Sequence, residues 1–386
     1  MSAPLSIAAD AGSSSSPAED RRELVRKLPI RVLMTADTVG GVWNYSINLT
    51  RAVAPYGVEV VLATMGRFPS ADQRSQAQTL SNLYLAESDF RLEWMENPWT
   101  DVNRAGDWLL QLEARWRPAL IHLNGYSHAA LPWHAPKLVI AHSCVLSWWE
   151  AVRRVPLPNH WVTYAVRVAE GLRSADIVIA PTGTMLAELR RLYDWQGDGL
   201  VIWNGLPPVT LDLNSKEEFI LTAGRLWDEA KNLNALESIA EQLAWPVYAA
   251  GEDGGEPQAA SVRRLGHLSA AGISRWMARA SIYALPARYE PFGLSILEAA
   301  QSGCALVVGN IPSLRELWDE AAWFVGPDDP QELRHSLTTL AGDRTIRQKL
   351  GACARQRARR YGLGRTAQQY LGVYRQLLEG SSTVCV

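Results

Sequence analysis

The sequence predicts an α/β protein of two Rossmann-like domains, and three observations carry that prediction. From Pro29 onward, short β-branched runs alternate with longer helical patterns, the mark of βαβ units stacked around a parallel sheet. The alternation stops at a Gly/Pro-rich stretch, residues 200–208, and restarts at Phe219. At 386 residues the chain is also long for one hydrophobic core, and two domains are the simplest division.

The expected strands of the first domain are residues 31–36, 58–64, 119–123, 138–142 and 177–180, with a further one entering the boundary at 200–208. Those of the second domain are 219–223, 246–249, 282–286 and 305–308. Near the end, Tyr370, Val373, Tyr374, Leu377 and Leu378 fall at helical spacing and mark one apolar face. This gives a tail at 1–28, a first domain at 29–205, a second at 206–365 and a final helix at 366–380. The tail is rich in Ala and Ser and lacks the basic-then-apolar layout of a secretory signal, so it is expected to be disordered.

Composition excludes several classes. A formal charge of −2 gives no footprint for a nucleic-acid partner. No apolar run reaches the roughly 18–20 residues that span a bilayer. Cys144, Cys304, Cys353 and Cys385 form neither a C-x-x-C pair nor a dense framework, which suits a reduced, cytoplasmic chain. The segment 145–154 joins Trp148 and Trp149 to Arg153 and Arg154, a combination that either packs or touches a membrane face or an acceptor.

Open parallel sheets bind ligands beyond the carboxyl ends of their strands, so the loops that follow the strands matter most. After the first strand, Gly40 and Gly41 open a helix patterned on Val42, Ser46, Leu49 and Val53. Such a turn is either a plain βα connection or a place where backbone N–H groups approach a phosphate. After residues 219–223 come Arg225 and, six residues later, Lys231, one of only five lysines against 33 arginines. Two cations there are either solvated or matched to a diphosphate.

The strongest local signal is residues 282–300, a buried-type strand, a loop with Glu290, Phe292 and Gly293, and a helix with Glu298. Glu290 can face a cleft, the amides at Gly293–Leu294 can hold a phosphate, and Glu298 can accept from a ribose diol; otherwise the two carboxylates are solvated or complement the helix dipole. In the first domain, His142 ends a strand beside Asn124 of its neighbour. Five of seven histidines lie between His122 and His160, but no H-x-H, H-x-x-x-H or D-x-D pair exists to hold a metal, and none is expected.

Taken together these loops resemble the family-4 retaining glycosyltransferases of the GT-B fold, the glycosyl transferases group 1, from about Arg31 to Leu378. Glu290-x7-Glu298 in the setting PARYEPFGLSILEAAQSG looks like that family's E-x7-E signature, and the sequence GRL at 224–226 with Lys231, the Asn204–Gly205 pair and LGHLS at 265–269 stand in family order. The resemblance implies transfer of a hexosyl unit from a nucleotide-diphosphate sugar, a UDP-sugar before a GDP-sugar, to a hydroxyl acceptor in glycan, glycolipid or small-glycoside synthesis, with no metal and no cofactor. It implies that Arg225 and Lys231 bind the diphosphate, Glu298 the ribose, and Glu290 with Phe292, Gly293 and Leu294 the transferred sugar. His142 then faces the reacting centre, Gly40 and Gly41 approach the donor phosphates, and Gly266, His267 and Leu268 contact the base mainly through backbone. The same resemblance implies that the two domains face each other across a cleft and that the final helix at 366–380 crosses back to pack on the first domain.

Three departures stand out: Lys231 lies one residue further from Arg225 than is usual, Ala287 replaces the usual Ser, and the turn reads GNIPSLRE with Glu316 displaced and without a role. The other readings of the same cleft are a nucleotide-sugar epimerase or hydrolase and a catalytically silent nucleotide-sugar-binding protein.

Overall fold

A computed structural model describes residues 29–209, 216–252 and 261–381; the expected disordered tail and Cys385 lie outside them. Thirteen strands among the described residues form two wholly parallel sheets. The first contains β1 (Ile30–Asp37), β2 (Val58–Met65), β3 (Leu83–Glu87), β4 (Leu120–Leu123), β5 (Lys137–Ile140), β6 (Ile177–Ala180) and β7 (Gly199–Val201), in the order β3-β2-β1-β4-β5-β6-β7. The second contains β8 (Glu217–Ala223), β9 (Val247–Ala250), β10 (Val262–Gly266), β11 (Ala280–Leu285), β12 (Ala305–Gly309) and β13 (Trp323–Val325), ordered β10-β9-β8-β11-β12-β13.

Central strands such as β1, β6, β11 and β12 are buried on both faces, which is why they read as continuous Val/Ile/Leu runs rather than as alternating patterns. Two apolar layers cover each sheet. Within one first-sheet layer lies α1 (Gly41–Val53), whose Trp43, Tyr45, Ile47, Leu49 and Val53 are buried. The last helix, α6 (Leu363–Ser381), follows the second domain in sequence but packs its Ala367, Tyr370, Leu371, Val373 and Tyr374 into that same layer.

Between these, four helices position the site: α2 (Val145–Val152), α3 (Gly183–Tyr193), α4 (Leu294–Gln301) and α5 (Pro312–Trp318).

Three strands are absent from the sequence reading, and all three are sheet edges. β3 is half-exposed, β10 carries Arg263 and Arg264, and β13 is only three residues long. An edge strand pairs on one side and tolerates charge, so neither β-branched enrichment nor length announces it. The strand expected at 200–208 is likewise shorter, because β7 closes the other edge of the first sheet and stops at Val201.

In both sheets the strand order reverses direction beside the first strand of the domain, between β1 and β4 and between β8 and β11. These are the topological switch points where open α/β sheets leave a crevice at the strand carboxyl ends. The loops after β1, β4, β8 and β11 carry Gly40–Gly41, Asn124, Arg225 and Glu290 in turn.

Candidate active site

The loop after β8 opens on a glycine. Gly224 has φ +155°, and the Lys231 stem runs across it at a distance where an added Cβ would stand 3.7 Å from Cε. Arg225 follows; its Nη2 donates to Oδ2 of Asp228 at 2.8 Å and its guanidinium lies 5.3 Å from the centroid of Trp227. Asp228 caps the short turn Glu229–Lys231 by accepting from Ala230 N, which brings Lys231 back toward the cleft.

Lys231 Nζ donates to Oε2 of Glu290 at 2.5 Å. Thus the sequence-distant halves of the proposed donor set meet as a largely buried ion pair, with side chains only 17% and 11% exposed. Glu290 Oε1 also accepts from Phe292 N at 3.4 Å, and Ser313 Oγ holds the Glu290 carbonyl at 2.7 Å.

Gly293 sits at the start of α4 with φ +84°, the left-handed region, and a Cβ there would stand 2.7 Å from Ile296 Cδ1. Glycine is therefore required at this position both by backbone conformation and by space. One and a half turns on, Glu298 is half-buried and its carboxylate has no protein hydrogen-bond partner among the described residues. Burial pushes its pKa up to about 7. A carboxylate desolvated in this way without a donor costs stability when charged, so the position is tuned for something other than the fold.

The facing wall belongs to the first domain. The Asp37 carboxylate accepts from Val39 N at 3.0 Å and Gly40 N at 2.8 Å, fixing the turn into α1. This turn meets the second domain: a Cβ on Gly40 would stand 3.5 Å from Arg225 Nη1, and one on Gly41 would stand 3.8 Å from Leu294 Cδ1.

His142 lies just beyond β5, its Nε2 2.8 Å from Asn124 Oδ1 and its ring edge-on to Tyr45 at 4.6 Å. Burial holds its pKa down at about 3, so the imidazole is neutral at physiological pH. Behind it, buried His122 joins Tyr45 Oη at 3.3 Å to Tyr374 Oη of α6 at 2.8 Å, tying the last helix to the floor beneath His142.

Gly266 ends β10, and His267 and Leu268 follow it. Gly266 has φ +66° and its carbonyl accepts from Gly251 N, which in turn packs against Gly224. His267 is exposed, and Leu268 is half-buried against the core.

Sequence reasoning missed the contacts that span the two domains. Glu316, without a role in the sequence, reaches from α5 to the start of α3, accepting from Gly183 N at 2.8 Å, Thr184 N at 2.9 Å and Thr184 Oγ1 at 2.8 Å. One domain therefore caps a helix of the other, satisfying amides that a helix N-terminus leaves open. Tyr289 Oη lies 2.8 Å from Ser147 Oγ and accepts from Cys144 N, and Trp148 Nε1 donates to Asp228 Oδ1 at 3.0 Å. Trp148 and Arg153 of the Trp–Arg segment are thus engaged with the second domain, the latter through Glu229 at 2.7 Å.

Among the described residues no group of three or more His, Cys, Asp or Glu side chains is arranged to hold a metal ion, and no helix is long and apolar enough to cross a membrane.

Two parallel-sheet domains with facing switch points, two cations and two carboxylates at one of them, define a glycosyltransferase of the GT-B type. The family model described as Glycosyltransferase Family 4 matches residues 39–208, and that described as Glycosyl transferases group 1 matches 217–343. The chain belongs to glycosyltransferase family 4.

Among curated relatives, the glycogen synthase of Mycobacterium tuberculosis is 25% identical over 83% of this chain and 86% of its own. A D-inositol 3-phosphate glycosyltransferase of Nocardioides sp. is 30% identical over 35% of this chain, an alignment that spans 30% of that relative. Two solved structures share the fold. Sucrose-phosphate synthase from Thermosynechococcus elongatus superposes with a TM-score of 0.74 at 18% identity, covering 91% of this chain and 99% of its own. Anabaena HepE in complex with UDP and glucose gives 0.69 at 15% identity, covering 90% and 100%.

Proposed function

We propose that the protein is a metal-independent retaining glycosyltransferase that moves a hexosyl unit from a nucleotide-diphosphate sugar, UDP-linked in preference to GDP-linked, to a hydroxyl acceptor on a glycan, glycolipid or small glycoside. The observation that carries this reading is the meeting of Arg225, Lys231, Glu290 and Glu298, the last without a hydrogen-bond partner for its carboxylate among the described residues, at one switch point opposite the Gly40–Gly41 turn.

In this reading the donor diphosphate lies between the Arg225 fork and the Lys231 ammonium, which neutralise the charge that grows on it as the glycosidic bond breaks. Glu298 accepts from the ribose hydroxyls, and the backbone at 266–268 takes the base. Glu290, released in part from Lys231 when the diphosphate arrives, and the amides at 292–294 orient the sugar hydroxyls. The acceptor attacks from the face that the diphosphate leaves, so configuration is retained and no protein nucleophile is used. Neutral His142 lines the acceptor side, and the cross-domain contacts keep water from the reacting centre.

Support for a uridine donor comes from HepE, whose solved complexes hold UDP and UDP-glucose. The test is thermal unfolding of the full chain with UDP-, GDP- and ADP-glucose, since a ligand that binds only the folded state raises Tm with its affinity. A shift with UDP-glucose is expected; no shift with any of the three refutes the reading. NMR of the product with the acceptor in hand then reads the anomeric configuration, and an inverted product refutes retention.

A further inference from the structure

The donor reading leaves unexplained why a buried Asp stands between Arg225 and the opposite domain. Asp228 is almost fully buried. Its Oδ2 accepts from Arg225 Nη2 at 2.8 Å, and its Oδ1 accepts both from Ala230 N at 3.0 Å and from Trp148 Nε1 at 3.0 Å. Burial alone would push its carboxyl up, but Arg225 and Lys231 together hold it below the ordinary carboxylate range, so it stays an anion. The Trp148 indole belongs to α2 of the first domain and is itself fixed, with the Arg153 guanidinium 5.8 Å above its ring and Arg153 paired to Glu229. The Arg225 guanidinium completes the line, its Nη1 directed at the Gly40 turn.

We infer that Asp228 is a positioning residue that aims the Arg225 guanidinium at the donor diphosphate, and that the Trp148 indole, reaching it from the other domain, makes that aim depend on the two domains being together. The inference rests on the donor reading above and adds a coupling to it. When the domains part, the indole N–H leaves, Asp228 loses one of its fixed donors, and the carboxylate is free to turn with Arg225 away from the cleft. Joined, the cation is set where the leaving phosphate needs it. The domain that holds the acceptor thereby helps arm the leaving-group site of the other, which limits donor cleavage before the acceptor wall is in place.

The test is a double-mutant cycle on the full chain, with UDP and UMP as probes in calorimetry and GDP alongside. Trp148→Phe keeps the ring beneath Arg153 and removes only the donor N–H. Its loss is expected to weaken UDP by about tenfold, the size of one hydrogen bond to a charged group. UMP, which lacks the second phosphate, should be weakened by less than about twofold. In an Arg225→Ala background, Trp148→Phe should add nothing further. Asp228→Asn, which keeps the shape and loses the charge, should reproduce the selective loss of UDP.

Equal weakening of UDP and UMP, an additive effect on top of Arg225→Ala, or no effect of Trp148→Phe on UDP overturns the coupling while leaving the donor reading intact. Wild-type affinity for UDP in Arg225→Ala, or no binding of UDP and GDP by the wild type, overturns the donor reading itself.

Discussion

Glu298→Gln separates what a carboxylate does for ligand from what it does to the fold. The folded pKa stands at about 7 against an ordinary 4.5, so the folded protein prefers the protonated acid. At ~1.4 kcal/mol per unit this difference amounts to about 3 kcal/mol, an upper bound because the side chain keeps some contact with water. The sign follows from linkage: a carboxylate whose pKa is raised by folding adds stability below pH 4.5, and that contribution is lost as pH climbs through 7.

Glutamine does not ionise, so the variant should match the wild type at pH 4.5 and exceed it by about 1–3 kcal/mol at pH 8. Over a domain of this size that is a rise in Tm of several degrees, on the order of 2–4 °C per kcal/mol. Differential scanning calorimetry of both proteins at the two pH values reads it. UDP affinity should move the other way, falling about tenfold or more in the variant at pH 8, since an ionised acceptor for the ribose diol is gone. In the wild type, affinity should fall as pH drops below 7, and in the variant that dependence should disappear. A Tm gap that is the same at pH 4.5 and pH 8 refutes the desolvation argument, and unchanged UDP affinity refutes the ribose role.

Lys231→Ala removes one of two cations at the diphosphate and should cut turnover by roughly a hundredfold, with near-normal turnover sinking that assignment. Gly293→Ala forces a side chain into a left-handed residue and against Ile296; a loss of about 1–3 kcal/mol in urea unfolding is expected, and no loss would show that the turn relaxes freely. Glu316→Ala deletes three hydrogen bonds between domains and should increase the radius of gyration in solution scattering, with a loss of about 1–3 kcal/mol in thermal or urea unfolding; unchanged scattering and stability would mean that the other contacts suffice.

How much of the site was legible follows the same line as the fold. The strands that could be read were the central ones, because burial on both faces demands unbroken apolar runs such as 282–285, and the strands that could not were edges such as β10, where Arg263 and Arg264 face solvent or a helix. The residues after β8 and β11 were legible because glycines, a scarce lysine and two carboxylates fall there in a motif. Asp228 sits inside that motif and was passed over, since its meaning comes from Trp148, 80 residues away and in the other domain.

The sequence by itself determined two parallel α/β domains and set Arg225, Lys231, Glu290 and Glu298 just past the ends of two central strands, because each of these is fixed by local spacing against a strand end. Tertiary structure alone decided that Lys231 pairs with Glu290, that the Glu298 carboxylate has no hydrogen-bond partner among the described residues, and that Glu316 and Trp148 serve the opposite domain. Those facts depend on which surfaces meet when two sheets face each other, and contact between residues distant in the chain leaves no periodicity for the sequence to show.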